Sequence, residues 1–332
     1  MTRALAIAFA ACVASTCSES TFFANGAGGA DQDVKDVQQC PYHYRPIRRL
    51  SAASEIPAAL AEEEPFILGG DFVASWPGWK KWSLDYFVKE YGESESAAAD
   101  GEYPTIELKM GASYFKAPFS EIASRVRKGE LVYGALSLDY AERSRLMEDA
   151  IVPPGMDDAP IMDCLKTKHG TMADEFLKSF FWSQIFVGAE GTGMEMHKDN
   201  LRTEIWSAQL TGEKQLVACN PRKSGTVYPE EYGDRAYVNA FDPDMKEFPN
   251  FAQSDCVWGA LQPGELIHWP STWYHQTKNT RGISLAVSGM SIGRSIASKF
   301  LVTLDNHIHS NDNIGAALRE CIASSDLPAY EK

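Results

Sequence analysis

The stretch Gly191-Thr192-Gly193-Met194-Glu195-Met196-His197-Lys198-Asp199-Asn200 decides how this chain is read. His197 and Asp199 are two residues apart, so on a β-strand both side chains fall on one face. Two imidazoles and one carboxylate are the set that holds a ferrous ion on one side and leaves the opposite positions open. The triplet alone also fits a solvated surface pair, so its meaning depends on what surrounds it. A third ligand must come from elsewhere, and His275, at the end of Trp269-Pro270-Ser271-Thr272-Trp273-Tyr274-His275, is the candidate.

Working outward, short alternating apolar segments separated by turn residues follow Phe180. They are Phe181–Val187, Ile205–Leu210, Lys214–Cys219, Glu265–Trp269 and Ile283–Ser288. Strands in succession without crossover helices predict an antiparallel sandwich or barrel. Upstream, Ile56 to Glu64 reads as a short helix, Pro65 to Gly70 as a strand and its turn, and Ser83 as the N-cap of a helix to Tyr91. Thr105 to Met110 reads as a strand and Phe119 to Arg127 as a helix. From Ser291 onward the chain reads mostly helical.

The chain has 332 residues, 44% of them hydrophobic, which fits an ordinary globular core. Its formal charge of −14 argues against a surface built for a phosphate backbone and leaves a basic peptide open as a partner. Met1 to Arg3 is a cationic start, Ala4 to Val13 an apolar run too short to span a bilayer, and Ala14 to Thr16 a small-residue cleavage site. Residues 1–17 therefore read as a signal peptide, with a hydrophobic N-terminal helix as the alternative. The expected place is the secretory lumen or outside the cell, the alternative the cytoplasm or nucleus. Residues 18–40 read as a linker, 41–290 as the main folded domain, and 291–332 as a C-terminal helical segment. No later apolar run reaches the length of a membrane span. The seven cysteines show no C-x-x-C pair; one or two disulfides are open, and Cys219 reads as a small buried hydrophobe.

Three segments together resemble the JmjC-domain oxygenases. Residues 191–200 resemble that family's metal-binding strand. Gln209-Leu210-Thr211-Gly212-Glu213-Lys214 resembles its hairpin with a cosubstrate lysine. Leu261 to Pro270, continuing to His275, resembles its proline-glycine-acid turn and distal histidine. Pro65 to Leu68 with Trp76-Pro77 matches its usual entry, so the resemblance runs over about residues 45–290 in family order.

The resemblance implies a double-stranded β-helix (jelly-roll, cupin) barrel with flanking helices, using Fe(II), 2-oxoglutarate and dioxygen. It implies His197, Asp199 and His275 as metal ligands and Lys214 as the cation facing the distal carboxylate of 2-oxoglutarate, a charge-assisted bond. Hydroxyl or amide side chains share that carboxylate in the family; the candidates are Ser207, Ser288, Asn279, Ser284, Thr192 and Tyr114. The family often carries Thr or Ser three residues before the first histidine, where this chain has Met194, and Thr192 is the local substitute. Ser207 stands where close relatives have an amide. His268 reads as a packed or hydrogen-bonded side chain, and His307-Ile308-His309 resembles a metal clip by spacing alone.

The reaction implied is oxidative decarboxylation of 2-oxoglutarate coupled to hydroxylation of a lysine, arginine or asparagine side chain on a protein or peptide. Demethylation of lysine or arginine is the first alternative, and a catalytically silent barrel used for binding is the second. Homodimerisation through Ser291–Asp326 is expected from some relatives.

Overall fold

The computed structural model describes residues 42–70, 72–101, 113–156, 159–180, 182–231, 234–292, 294–307 and 312–325. The signal-peptide and linker segments, the strand expected at Thr105–Met110, and Ile308-His309 lie outside the described residues.

The N-terminal part contributes β1 (Arg45–Pro46), β2 (Arg48–Leu50), α1 (Ile56–Ala61), β3 (Phe66–Leu68) and α2 (Leu84–Tyr91). Ser83 caps α2, its hydroxyl accepting the Tyr86 N–H at 3.1 Å. Next come β4 (Glu95–Asp100), β5 (Ser113–Pro118), α3 (Phe119–Arg127), β6 (Val132–Ser137), α4 (Tyr140–Met147), α5 (Ala159–His169) and α6 (Met172–Ser179). The barrel strands are β7 (Ser183–Gly188), β8 (Gly193–His197), β9 (Glu204–Cys219), β10 (Cys256–Leu261), β11 (Leu266–Trp269) and β12 (Tyr274–Ser291). They are followed by α7 (Arg294–His307) and α8 (Asp312–Ser324).

All the strands belong to one sheet that folds over on itself. β9 and β12 pair antiparallel along their whole lengths, from Tyr274 opposite Cys219 to Ser291 opposite Glu204. Three segments read separately in the sequence, Ile205–Leu210, Lys214–Cys219 and Ile283–Ser288, are therefore parts of two long bent strands. The bends fall at Gly212 (φ +69°) and Gly282 (φ +63°), backbone that only glycine adopts cheaply. At Gly212 a Cβ would also meet the Ile283 carbonyl oxygen at 2.6 Å. Beyond the bends the two strands enter different layers. One layer runs β10, the second half of β9, the first half of β12, then β8. The other runs β3, β11, the first half of β9, the second half of β12, then β7, β6, β4 and β5.

This is the jelly-roll arrangement that the resemblance implies, with the site between the layers. One apolar cluster joins α1, α2 and α3 to the outer face of the large layer. A second joins the barrel to α5, α6, α7 and α8, where Trp182 packs on Phe300 at 5.9 Å. A third lies under the excursion 220–255 between β9 and β10.

Two disulfides tie these parts together. Cys164–Cys321 fastens α8 to α5 across 157 residues of sequence, and Cys219–Cys256 joins directly opposed residues of β9 and β10. Cys219 is thus buried as expected but is half of a cross-link, not a free small hydrophobe. No helix among the described residues is long and apolar enough to cross a membrane.

Candidate metal centre

His197 ends β8 and pairs across the ladder with His275 at the start of β12. Asp199 lies two residues past the strand end. The extended path continues there because the Lys198 N–H donates to the Asp234 carbonyl at 2.8 Å. One ligand atom from each of His197, Asp199 and His275 falls within 4.8 Å of the others. Among the described residues this is the only group of three or more such side chains that meets that geometry. The close approach of the strands depends on Gly193, where a Cβ would stand 2.0 Å from the Thr277 carbonyl oxygen.

The surroundings prepare the donors. Each Nδ1 lies by a backbone carbonyl: His197 by Glu195 O at 2.7 Å, His275 by Trp273 O at 3.1 Å. A proton on Nδ1 satisfies both bonds and leaves both Nε2 lone pairs facing the centre. Burial pushes His275 down to about 4, so the ring is neutral and able to ligate at neutral pH. Trp269 donates its indole N–H to Asp199 Oδ2 at 2.8 Å and holds its ring 4.8 Å from His275. The donor types, their convergence and their fixed tautomers fit a divalent iron site.

The same cavity holds Lys214, which is 6% exposed, and Ser207 and Ser288 line it as well. Ser288 donates to the Trp206 carbonyl at 2.8 Å. Lys214 is pushed down to about 8 by burial alone. No carboxylate among the described residues pairs with it. Its ammonium donates to the Tyr133 hydroxyl at 3.2 Å and lies 5.3 Å from the ring centres of Tyr133 and Phe186.

Several expected cosubstrate residues fall elsewhere. Thr192 and Asn279 do not line this cavity. Asn279 donates to the Thr192 hydroxyl at 3.1 Å, and Thr192 donates to the Ala189 carbonyl at 2.6 Å, a closed pair beside Gly188. Ser284 accepts from Gln209 at 2.9 Å. Tyr114 lies on β5 opposite Ala99, and its side chain is outside the described residues.

Tyr133 and Thr277 line the cavity and were not anticipated. Tyr133 comes from β6, which pairs with the barrel strand β7, and only sheet order brings it in. Thr277 follows His275 by two residues and shares its strand face, so alternation alone was a usable signal. His268 faces away from the metal centre, stacked on Phe66 at 4.9 Å, with neither ring nitrogen hydrogen-bonded among the described residues. Burial pushes it down to about 3 and the nearby Glu204 up to about 8, so both are neutral behind the site.

Beyond the triad the cavity opens into a vestibule. Its walls include Ala97 to Ala99 of β4, Met194 and Met290, with Lys198, Asp234, Arg235 and Glu195 on one side. Arg235 pairs with the buried Glu195, and Lys198 lies 4.7 Å from the Tyr274 ring.

A jelly-roll barrel that brings two histidines and an aspartate together at one mouth defines a cupin-type metal centre. Residues 52–289 match the cupin-like domain family, and the chain belongs to this cupin-like JmjC family. It is 24% identical over 224 residues to Lysine-specific demethylase 8 of Xenopus tropicalis, which covers 65% of this chain and 45% of the relative. It is 25% identical over 259 residues to Arginine-specific demethylase JMJ22 of Arabidopsis thaliana (75% and 46%). A third relative, tRNA wybutosine-synthesizing protein 5 of Danio rerio, is 26% identical over 209 residues (60% of each chain). The chain thus spans about half the length of these relatives.

Proposed function

We propose that the chain is an Fe(II)- and 2-oxoglutarate-dependent oxygenase that hydroxylates a lysine, arginine or asparagine side chain of a protein or peptide. The observation that carries this reading is Lys214: a buried ammonium in the triad's own cavity, without a carboxylate partner. An unpaired buried cation is costly, and a dicarboxylate bound beside the metal removes that cost.

In this reading His197, Asp199 and His275 hold ferrous iron. When bound, the iron supplies dioxygen activation, chemistry that no side chain performs. Overall, 2-oxoglutarate, dioxygen and a substrate C–H bond become succinate, carbon dioxide and a C–OH group. Lys214 and Tyr133 hold the distal carboxylate, and burial raises the Tyr133 phenol so that it stays a donor. Leu216, Ile267 and Trp182 give the cavity apolar walls that keep bulk water from the reacting atoms.

The relatives' names divide among lysine, arginine and tRNA, so kinship leaves the substrate open. A charge of −14 disfavours an RNA and suits a protein partner, with a basic segment drawn by the overall field. Two disulfides, one with Cys321 fully buried, favour an oxidising compartment and so a substrate met in the secretory pathway. Any homodimer through the C-terminal helices has the outer face of α7 to use. Val302 is 62% exposed there, while Ile296, Phe300 and Leu304 turn inward.

The test is an anaerobic titration with Fe(II) and 2-oxoglutarate, followed by oxygen and intact-mass analysis of candidate peptides. The expected result is succinate formation and a gain of about one oxygen per peptide, both lost in His197→Ala together with metal binding. Formaldehyde release from a methylated peptide would assign demethylation instead. No succinate, with metal retained in His197→Ala, would assign a silent barrel.

A further inference from the structure

We propose that Thr277 supplies, from the opposite strand, the anion-binding hydroxyl that β8 lacks at Met194. The proposal rests on the reading of this cavity as a 2-oxoglutarate site. Met194 and Thr277 are register partners in the β8–β12 ladder, so their side chains stand side by side on one face. Both line the cavity that holds the triad and Lys214. Thr192, the nearest hydroxyl on β8's own chain segment, is committed to the Ala189 carbonyl and lies outside that cavity.

Hydrogen bonding leaves the Thr277 proton available. Its oxygen accepts the Met194 backbone N–H at 3.2 Å through one lone pair, a bond that does not use the hydroxyl proton. Tyr133 lines the same cavity, and its phenol oxygen accepts from Lys214 at 3.2 Å. The Lys214 ammonium, the Tyr133 phenol and the Thr277 hydroxyl are therefore three donors gathered at one place with no carboxylate among them. This is the complement of a carboxylate with several lone-pair sites. Moving the hydroxyl to β12 also changes what β8 does. Met194 lines both the inner cavity and the vestibule, so position 194 becomes part of the wall between cosubstrate and substrate.

The experiment measures 2-oxoglutarate affinity on the full chain loaded with Mn(II) under anaerobic conditions. Thr277→Val removes the donor while keeping the branched shape, and should raise Kd about 10- to 100-fold with Mn(II) affinity unchanged. Thr277→Ser should stay within about threefold of wild type. The double variant Met194→Thr with Thr277→Val returns a hydroxyl from the other strand and should recover most of the loss. Thr277→Ala, read the same way, replaces Thr277→Val if the latter does not fold. Wild-type affinity in both Thr277→Val and Thr277→Ala would overturn the assignment and leave the cosubstrate reading standing. Absence of 2-oxoglutarate binding by the wild type would overturn both.

Discussion

Replacing Trp269 by Phe removes the indole N–H that reaches Asp199 Oδ2 at 2.8 Å and keeps an aromatic ring against His275. Asp199 is partly shielded, with 18% of its side chain exposed, and Trp269 is 7% exposed, so water replaces the lost donor poorly. A hydrogen bond to an ionised group in such a setting contributes about 1.5–3 kcal/mol. At about 1.4 kcal/mol per factor of ten, Trp269→Phe should weaken metal binding about 10- to 100-fold, in line with losses seen when a ligand's outer hydrogen-bond partner is removed. The smaller ring also leaves a void, lowering stability by about 1–3 kcal/mol. Calorimetric titration with Mn(II) or anaerobic Fe(II) measures the first effect, and thermal unfolding of the metal-free protein measures the second. Metal affinity within about twofold of wild type, in a variant that folds, would refute the view that Trp269 aims the Asp199 carboxylate.

Lys214 makes stability and binding oppose each other. Its folded value of about 8 lies below the ordinary 10.5, so between those pH values the unfolded chain binds more protons and the metal-free protein should gain stability as pH rises. Lys214→Met should therefore be more stable than wild type at pH 7 by about 3 kcal/mol, the gain disappearing by about pH 10.5, while 2-oxoglutarate binding is lost. Urea unfolding at pH 7 and pH 10 checks this, and a destabilised Lys214→Met at pH 7 would contradict it. For the cross-links, non-reducing peptide mapping should recover Cys164–Cys321 and Cys219–Cys256. Converting Cys164 and Cys321 to Ser should cost about 2–5 kcal/mol by freeing a long loop in the unfolded chain, measurable as a lower Tm. Free thiols at all four positions in protein from an oxidising compartment would count against the pairing.

What the sequence reveals and what it hides differ in physical kind. The His197–Asp199 pair and the cap at Ser83 are set by local order: two-residue alternation and a hydroxyl before a helix, whereas His275 and Lys214 are legible through the family resemblance. The strand Glu95–Asp100 (Glu-Ser-Ala-Ala-Ala-Asp) has no β-branched or aromatic residue. It is a strand because β5 and β6 pair on either side of it, a tertiary effect that propensity does not contain. The same ordering of strands delivers Tyr133. Cys219 and Cys256 become neighbours only once the β9–β10 register is known. Alternation does separate Trp269, which faces the metal centre, from His268, which does not. It also favours Thr277 beside His275, but a register shift between these two residues obscures how far the inward face continues. Asn279, two residues further on, is drawn to Thr192 instead. Two of the metal ligands follow from spacing along one strand, with His275 added from β12, whereas the proposed cosubstrate anchor is assembled across β6, β9 and β12. A hydroxyl missing from β8 can therefore be replaced from β12 without leaving a trace in the local motif.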